Sequence, residues 1–180
     1  KQKIPFLLTP FLHLGDPTNP GDRTRRGYLA RPLVWLLRQA RVVFVQTPSE
    51  QAAVLDLGIA PDKVVLQGLG VDAAECTGGD RANVRQQWGV SDSGVVVGHL
   101  ANKSHEKGTL DLLEAMRSLW ARGEQTHVVL AGPEMPNFRA YWQRFEAELP
   151  QAWLPRVHRL DVLTDEEKRD FFAGIDVFAL

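Results

Sequence analysis

The 180-residue sequence predicts an α/β fold built on parallel sheets. Three observations carry that expectation. Short β-branched runs alternate with helix-period segments along the chain, which is the pattern of strands joined by crossover helices. The stretch from Gly94 to Gly132 reads as one βαβ unit: Val95 to Val97 stopped by Gly98, a basic polar loop, a helical pattern from Thr109 to Arg122, and a second run from His127 to Leu130 stopped by Gly132. The first third reads as strand, loop, helix, strand, helix, strand.

Taken in order, Ile4 to Thr9 fits a central strand, with Pro5 near its start where a missing N–H matters least. Pro10 to Gly27 reads as a long loop, rich in Pro, Gly, Asp and Arg and including His13, Asp16 and Asp22. A loop of that length inside a domain is usually functional or disordered. Leu29, Leu33, Leu36 and Leu37 recur at helical spacing, and Pro32 is tolerated only in a first turn, so a helix is expected from Arg31 to Gln39. Val42 to Gln46 is the next strand. It delivers Thr47-Pro48-Ser49-Glu50, a capping box with proline at the first helical position. That helix turns Ala53, Val54 and Leu57 inward and ends at Gly58, and Lys63 to Gln67 follows as a strand.

After Gly68-Leu69-Gly70-Val71-Asp72 the periodicity dissolves into a linker from Ala73 to Gly79, which sets the expected domains at residues 1–72 and 73–180. Asp80 caps a short helix to Trp88, and the βαβ unit follows, its helix carrying Leu112, Leu113, Met116, Leu119 and Trp120 inward. Phe138 to Leu149 is an amphipathic helix packed through Tyr141, Trp142 and Phe145. Arg156 to Leu160 is a strand, Thr164 with Glu167 is a second capping box, and a last strand begins near Asp176. A strand at Lys3 with almost nothing before it, and an apolar run still open at Leu180, suggest a fragment of something longer.

Composition narrows the function. A formal net charge of −1 excludes a strongly basic nucleic-acid binder while allowing a local basic pocket. The single cysteine, Cys76, cannot form an internal disulfide, which fits a reducing, cytoplasmic setting. No apolar run approaches the roughly 20 residues that cross a bilayer. Zinc-type Cys/His spacing, the G-x-S-x-G elbow and H-E-x-x-H are all missing, so no metal centre or nucleophile is expected. Asp165, Glu166 and Glu167 occupy a helix's first turn, where negative charge offsets the dipole. His127 and His158 fall beside or within strands and read as structural.

The loop after the first strand of the βαβ unit holds Gly98, His99, Asn102, Lys103, Ser104, His105, Lys107 and Gly108. A parallel sheet binds ligands at its carboxyl edge, where this loop lies. Glycines let backbone approach a ligand, the following helix start favours an anion, and two lysines add charge. The loop matches neither the G-x-G-x-x-G nor the P-loop pattern, so a solvated polar surface stands beside a phosphate site as its reading.

Three ordered segments resemble the GT-B glycosyltransferases of the group 1 (family 4) type. They are Val42 to Asp72; Gly98-His99-Leu100 with Glu106-Lys107-Gly108 and Leu112-Leu113-Glu114-Ala115; and Val128 to Gly132 with Phe172 and Asp176-Val177-Phe178. The resemblance implies two Rossmann-like domains, both incomplete here: the end of an acceptor-side domain and the first half of a donor-binding domain. It implies a hexosyltransferase-type enzyme that needs no cofactor or metal, is retaining, and moves a sugar from a nucleotide-sugar donor to an unknown acceptor, this piece being inactive alone. Lys107 would hold the donor diphosphate, Gly108 would open the supporting helix, and Gly70 would allow close approach at the hinge. Gly98 and His99 occupy the family's Gly-Arg-Leu, with His99 in place of arginine, so Lys103 is the candidate for the missing cation. The family's histidine that contacts the donor sugar, after a strand of the first domain, matches Phe11 here, which leaves His13, two residues on, as the candidate catalytic residue. The downstream paired-glutamate motif lies outside this sequence. Two other readings stand beside this one, a non-catalytic nucleotide- or phosphate-binding α/β module and a nucleotide-sugar epimerase of the same architecture.

Overall fold

The computed structural model describes residues 4–15, 23–91 and 93–180, and the chain divides into two compact units, Lys1–Gly70 and Val71–Leu180. Both are α/β with parallel sheets, as the alternation of runs predicts. Asp16 and Asp22 of the long loop, and Lys3 ahead of the first strand, lie outside the described residues.

The first unit holds a parallel sheet in the order β1 (Leu7–Leu8), β2 (Val42–Val45), β3 (Val64–Leu66). Helices α1 (Thr24–Tyr28) and α2 (Arg31–Gln39) lie between β1 and β2, and α3 (Pro48–Asp56) joins β2 to β3. Leu37, Val43, Val45, Val54 and Ile59 close its core. The central strand expected from Ile4 is not found among the described residues: there, Leu7 and Leu8 pair on one side with Val42 and Val43, and Ile4 and Phe6 are exposed. Thr47 Oγ1 accepts from the Glu50 N–H at 3.1 Å, so the cap of α3 forms as expected. The Glu50 carboxylate does not return to the cap. It is buried and accepts from the N–H groups of Gln46 and Leu12, each at 2.7 Å, which fastens the chain after β1 to the end of β2.

In the second unit α4 (Ala73–Cys76) and α5 (Arg81–Gln87) precede β4 (Val96–Leu100), α6 (Thr109–Ala121), β5 (His127–Ala131), α7 (Pro136–Glu148), β6 (Val157–Arg159), α8 (Asp165–Gly174) and β7 (Val177–Phe178). The sheet is parallel throughout, in the order β6-β5-β4-β7, with Val97 opposite both Val128 and Val177. Leu113, Met116, Trp120, Val128 and Phe138 belong to one core cluster; Val84, Trp88, Val96, Val129 and Phe171 belong to another.

Two expectations are corrected here. The stretch from Ala73 is not all linker, because the Asp72 side chain accepts from the Ala74 N–H at 2.9 Å and starts α4, in which Cys76 lies. Gly98 does not stop β4. A Cβ at that position would lie 2.6 Å from Ile175 Cγ2 and 2.8 Å from Phe171 Cζ, so glycine is required there because α8 packs against bare strand backbone.

Asp176 joins the two ends of this unit. Its carboxylate accepts from Arg81 at 2.6 Å, from the buried Arg85 at 3.1 Å and from the Val96 N–H at 2.8 Å. Partial burial would raise its pKa, but these donors outweigh it and hold the group at about 2. On β5 and β6, His127 Nδ1 lies 3.1 Å from His158 Nε2 with the rings stacked, and the pair is structural as expected. Burial, aided by His127, lowers the His158 pKa to about 4.

Asp176→Ala leaves Arg85 buried without its carboxylate, and urea unfolding of the second unit is expected to show a loss of about 3 kcal/mol. A histidine whose folded pKa is depressed contributes stability that is present above about pH 6.5 and lost as pH falls toward its folded value. Unfolding free energy measured at about pH 7.5 and about pH 5.5 is therefore expected to fall by about 1 kcal/mol, and His158→Phe is expected to flatten that difference.

Candidate functional site

Chain order in the second sheet fixes where a ligand belongs. From β4 the chain moves outward through β5 to β6, then crosses back so that β7 pairs on the other side of β4. The strand order reverses between β4 and β7, and open α/β sheets take ligands at the carboxyl ends of the strands at such a switch point. The segment leaving β4 there is Ala101 to Gly108.

This segment is tied down at both ends. The Ala101 N–H donates to the Ala131 carbonyl at 3.0 Å, the Lys103 N–H to the Pro133 carbonyl at 2.8 Å, and the Met135 N–H to the Lys103 carbonyl at 3.0 Å, so its first half continues the pairing of β4 with β5. Its second half closes on α6. The Gly108 N–H donates to the His105 carbonyl at 2.9 Å, the Lys107 N–H to Ser104 Oγ at 3.3 Å, and the Glu106 carboxylate accepts from Asn137 Nδ2 at 3.0 Å. Gly108 sits at φ +69°, a left-handed conformation that would strain a residue with a Cβ, and α6 begins at the next residue.

His99 organises this closure, and its position corrects the expectation of a loop residue. It lies inside β4 and is 1% exposed. Its Nδ1 is 2.9 Å from the Ala179 carbonyl, which can only accept, so Nδ1 carries the proton and donates. Nε2 then accepts from the Thr109 hydroxyl at 2.9 Å, and Thr109 Oγ1 in turn accepts from the Ser104 N–H at 3.1 Å. Both ring nitrogens are committed, so His99 positions the start of α6 and leaves no nitrogen facing a ligand.

Lys107 is exposed and, among the described residues, makes no ion pair. Its charge stands beside the positive end of α6. Lys103 is different. It is 2% exposed, its Nζ donates to the Leu160 carbonyl, and Glu134 lies 3.8 Å away. Burial pulls its pKa below the usual lysine range against the attraction of Glu134 and Asp161. The ammonium is thus spent on the protein, and the free loop cation is Lys107.

Sequence reasoning missed a charged cavity of about 300 Å³ lined by Lys103, Glu134, Arg139, Arg159, Leu160 and Asp161. Glu134 is its centre, with Arg159 at 3.1 Å and Lys103 and Arg139 each at 3.8 Å. Arg159 also lies 4.3 Å over the Trp142 ring, a cation–π contact that holds its guanidinium in place. The signal was available, because Glu134 and Asp161 fall just past β5 and β6, at the same carboxyl edge.

The remaining candidates lie in other places. Gly98 is internal to β4 under α8, as described. Gly70 ends the first unit, with open space where a Cβ would stand. His13 follows β1; it is exposed, its Nδ1 accepts from the Gly15 N–H at 3.3 Å, and its ring lies 6.1 Å from that of Tyr28. Two residues before it, Phe11 adopts φ +48°, a conformation rare for a residue other than glycine.

No protein-family model and no curated protein matches the chain. Solved structures do. HepE of Anabaena, solved in complex with UDP, superimposes with a TM-score of 0.69 at 23% identity, over 82% of this chain and 40% of that one. A glycosyltransferase from Rickettsia africae gives 0.64 at 17% identity, over 96% of this chain and 44% of that one. An α,α-trehalose 6-phosphate synthase from Burkholderia multivorans gives 0.55 at 13% identity, over 86% and 46%. The chain therefore has the GT-B fold of these enzymes, and spans less than half of their length.

Thr109→Val keeps the shape of a buried side chain while leaving His99 Nε2 and the Ser104 N–H unpartnered. The expected cost is about 1–3 kcal/mol in chemical denaturation, with faster amide exchange across residues 101–108, and Thr109→Ser is expected to retain most of both.

Proposed function

We propose that this chain is part of a glycosyltransferase that uses a nucleotide-sugar donor, and that Lys107 with the first turn of α6 receives the donor diphosphate. The observation that carries the proposal is the pairing of an exposed, unpaired lysine with a rigid glycine-started helix at the switch point of a parallel sheet. The solved relatives add support, since HepE was solved with UDP and with UDP-glucose. The group 1 (family 4) assignment belongs to the same proposal, as do retention at the anomeric carbon and a cytoplasmic setting.

The chemistry fits the residues present. When the sugar leaves, negative charge builds on the diphosphate, and a fixed ammonium plus a helix start stabilise that charge as it forms. On this reading leaving-group departure needs no metal. Gly108 keeps Cβ bulk away from the phosphate, and His99 sets the helix start from behind. His13 and Gly70 belong to the same proposal only through the roles that the family resemblance gives them. The activity is proposed for a whole protein, because the chain covers 40–46% of the relatives' lengths.

The test is calorimetric titration of the chain with UDP and UDP-glucose. Lys107→Ala is expected to weaken binding about tenfold, the scale of one charge-assisted hydrogen bond, while Glu167→Ala, in the capping box of α8, leaves it unchanged. Equal loss from both variants, or none from Lys107→Ala, overturns the assignment. Sugar transfer by the whole protein separates this reading from a non-catalytic nucleotide-binding module, and epimerised donor without transfer identifies the epimerase.

A further inference from the structure

At the carboxyl end of β1 the first unit holds an apolar cavity of about 240 Å³. Leu8 and Leu12 line it from the chain at and after β1, Tyr28 from the end of α1, and Leu33, Leu36 and Leu37 from α2. Of its lining side chains, only those of Thr9 and Tyr28 carry a polar atom. The lining offers a ligand no ion pair, so binding there rests on apolar contact.

The wall after β1 is fixed in place. Glu50, 5% exposed, accepts from the Leu12 N–H through Oε1 and from the Gln46 N–H through Oε2, each at 2.7 Å. A buried carboxylate is unfavourable unless it is hydrogen-bonded, and this one is committed to main chain that lines the cavity. One residue before Leu12, Phe11 holds φ +48° with its side chain 62% exposed, so packing of its own ring does not impose that conformation. Backbone held in a sparsely populated region is concentrated at ligand-binding and active-site loops. Leu12 is thus set in the cavity wall before any ligand arrives, and a preformed pocket binds with less loss of order than one that must assemble.

Position and size select the occupant. Parallel α/β sheets take ligands outside the carboxyl ends of their strands. An apolar cavity of about 150 Å³ accepts a benzene ring, so this one has room for a group about one and a half times as large. The Tyr28 ring lies 6.1 Å from that of His13, so a hydroxyl carried by a group in the cavity is held at the end of β1 where the candidate catalytic histidine stands. We propose that the cavity receives an apolar group of the acceptor, either an alkyl chain of about eight carbons or a fused pair of aromatic rings. The acceptor role rests on the glycosyltransferase reading, whereas the preference of the cavity for an apolar group does not.

The test is calorimetric titration of the chain with methyl, butyl, octyl and dodecyl glucosides below their micelle concentrations, and with 2-naphthyl glucoside. Each methylene that enters the cavity is expected to tighten binding about fourfold, so affinity rises from methyl to octyl and levels off before dodecyl. The tighter of the octyl and naphthyl compounds tells a chain from a pair of rings. Leu33→Trp, which fills the cavity, is expected to abolish the gain from methyl to octyl, and Leu33→Ala to move the plateau to a longer chain. Leu33 is 43% exposed, so neither change disturbs a packed core and circular dichroism is expected to be unaltered. Equal binding of the methyl, octyl and naphthyl compounds, affinity that climbs through dodecyl as on a nonspecific apolar surface, or a plateau that neither variant moves overturns the proposal. UDP titration of the same samples separates the two failures. UDP binding without a chain-length response removes the apolar site alone, and a chain-length response without UDP binding removes the donor site and the acceptor role that rests on it.

Discussion

The second unit depends on a buried histidine in its central strand. His99 sits where β4 is flanked by strands on both sides, and its ring spans from the chain after β7 to the start of α6. A buried polar ring is costly unless both nitrogens are satisfied, and here each has one partner of the correct sense. Because Thr109 donates to the ring, its oxygen is free to accept the Ser104 N–H, and that pair decides where the loop turns. Lys107 and Gly108 are placed by this arrangement rather than by contacts of their own side chains. An exposed lysine thus stands on a fixed base, which is the feature the proposed donor site draws on.

Much of the architecture was legible because it rests on local rules. Arg31 to Gln39 was readable from leucine spacing and Pro32, and the α8 start from Thr164 and Glu167, whose reciprocal bonds both form. Errors arose where tertiary contact overrides local preference. Gly98 looks like a strand stop, yet it is the price of seating Ile175 and Phe171 against β4. Glu50 looks like half of a capping box, yet its carboxylate serves the main chain of Leu12, which is 38 residues away.

In the loop after β4, position in sequence shows that the residues lie at the carboxyl edge of the sheet but cannot sort their charges. Lys103 and Lys107 are four residues apart in one basic stretch, and nothing local separates them. Only the fold does so, by pairing Lys103 backbone with the segment after β5, which carries its side chain under Leu160 and beside Glu134. The cluster around Glu134 was legible only in part: Glu134 and Asp161 can be placed at the carboxyl edge from the sequence, but their ion pairs with Lys103, Arg139 and Arg159 depend on the fold.

The contact between Asp176 and the Val96 N–H spans 80 residues. Central strand β4 therefore emerges from the ribosome long before its partner on one side exists, while β5 is available much sooner. A nascent second unit would hold a three-strand intermediate of β4, β5 and β6 whose open edge, at Val96 and Val97, is a site for chaperones or for unwanted strand pairing. Arrival of Asp176 and β7 covers that edge of β4, so pairing on both sides of the central strand waits until this segment has been translated.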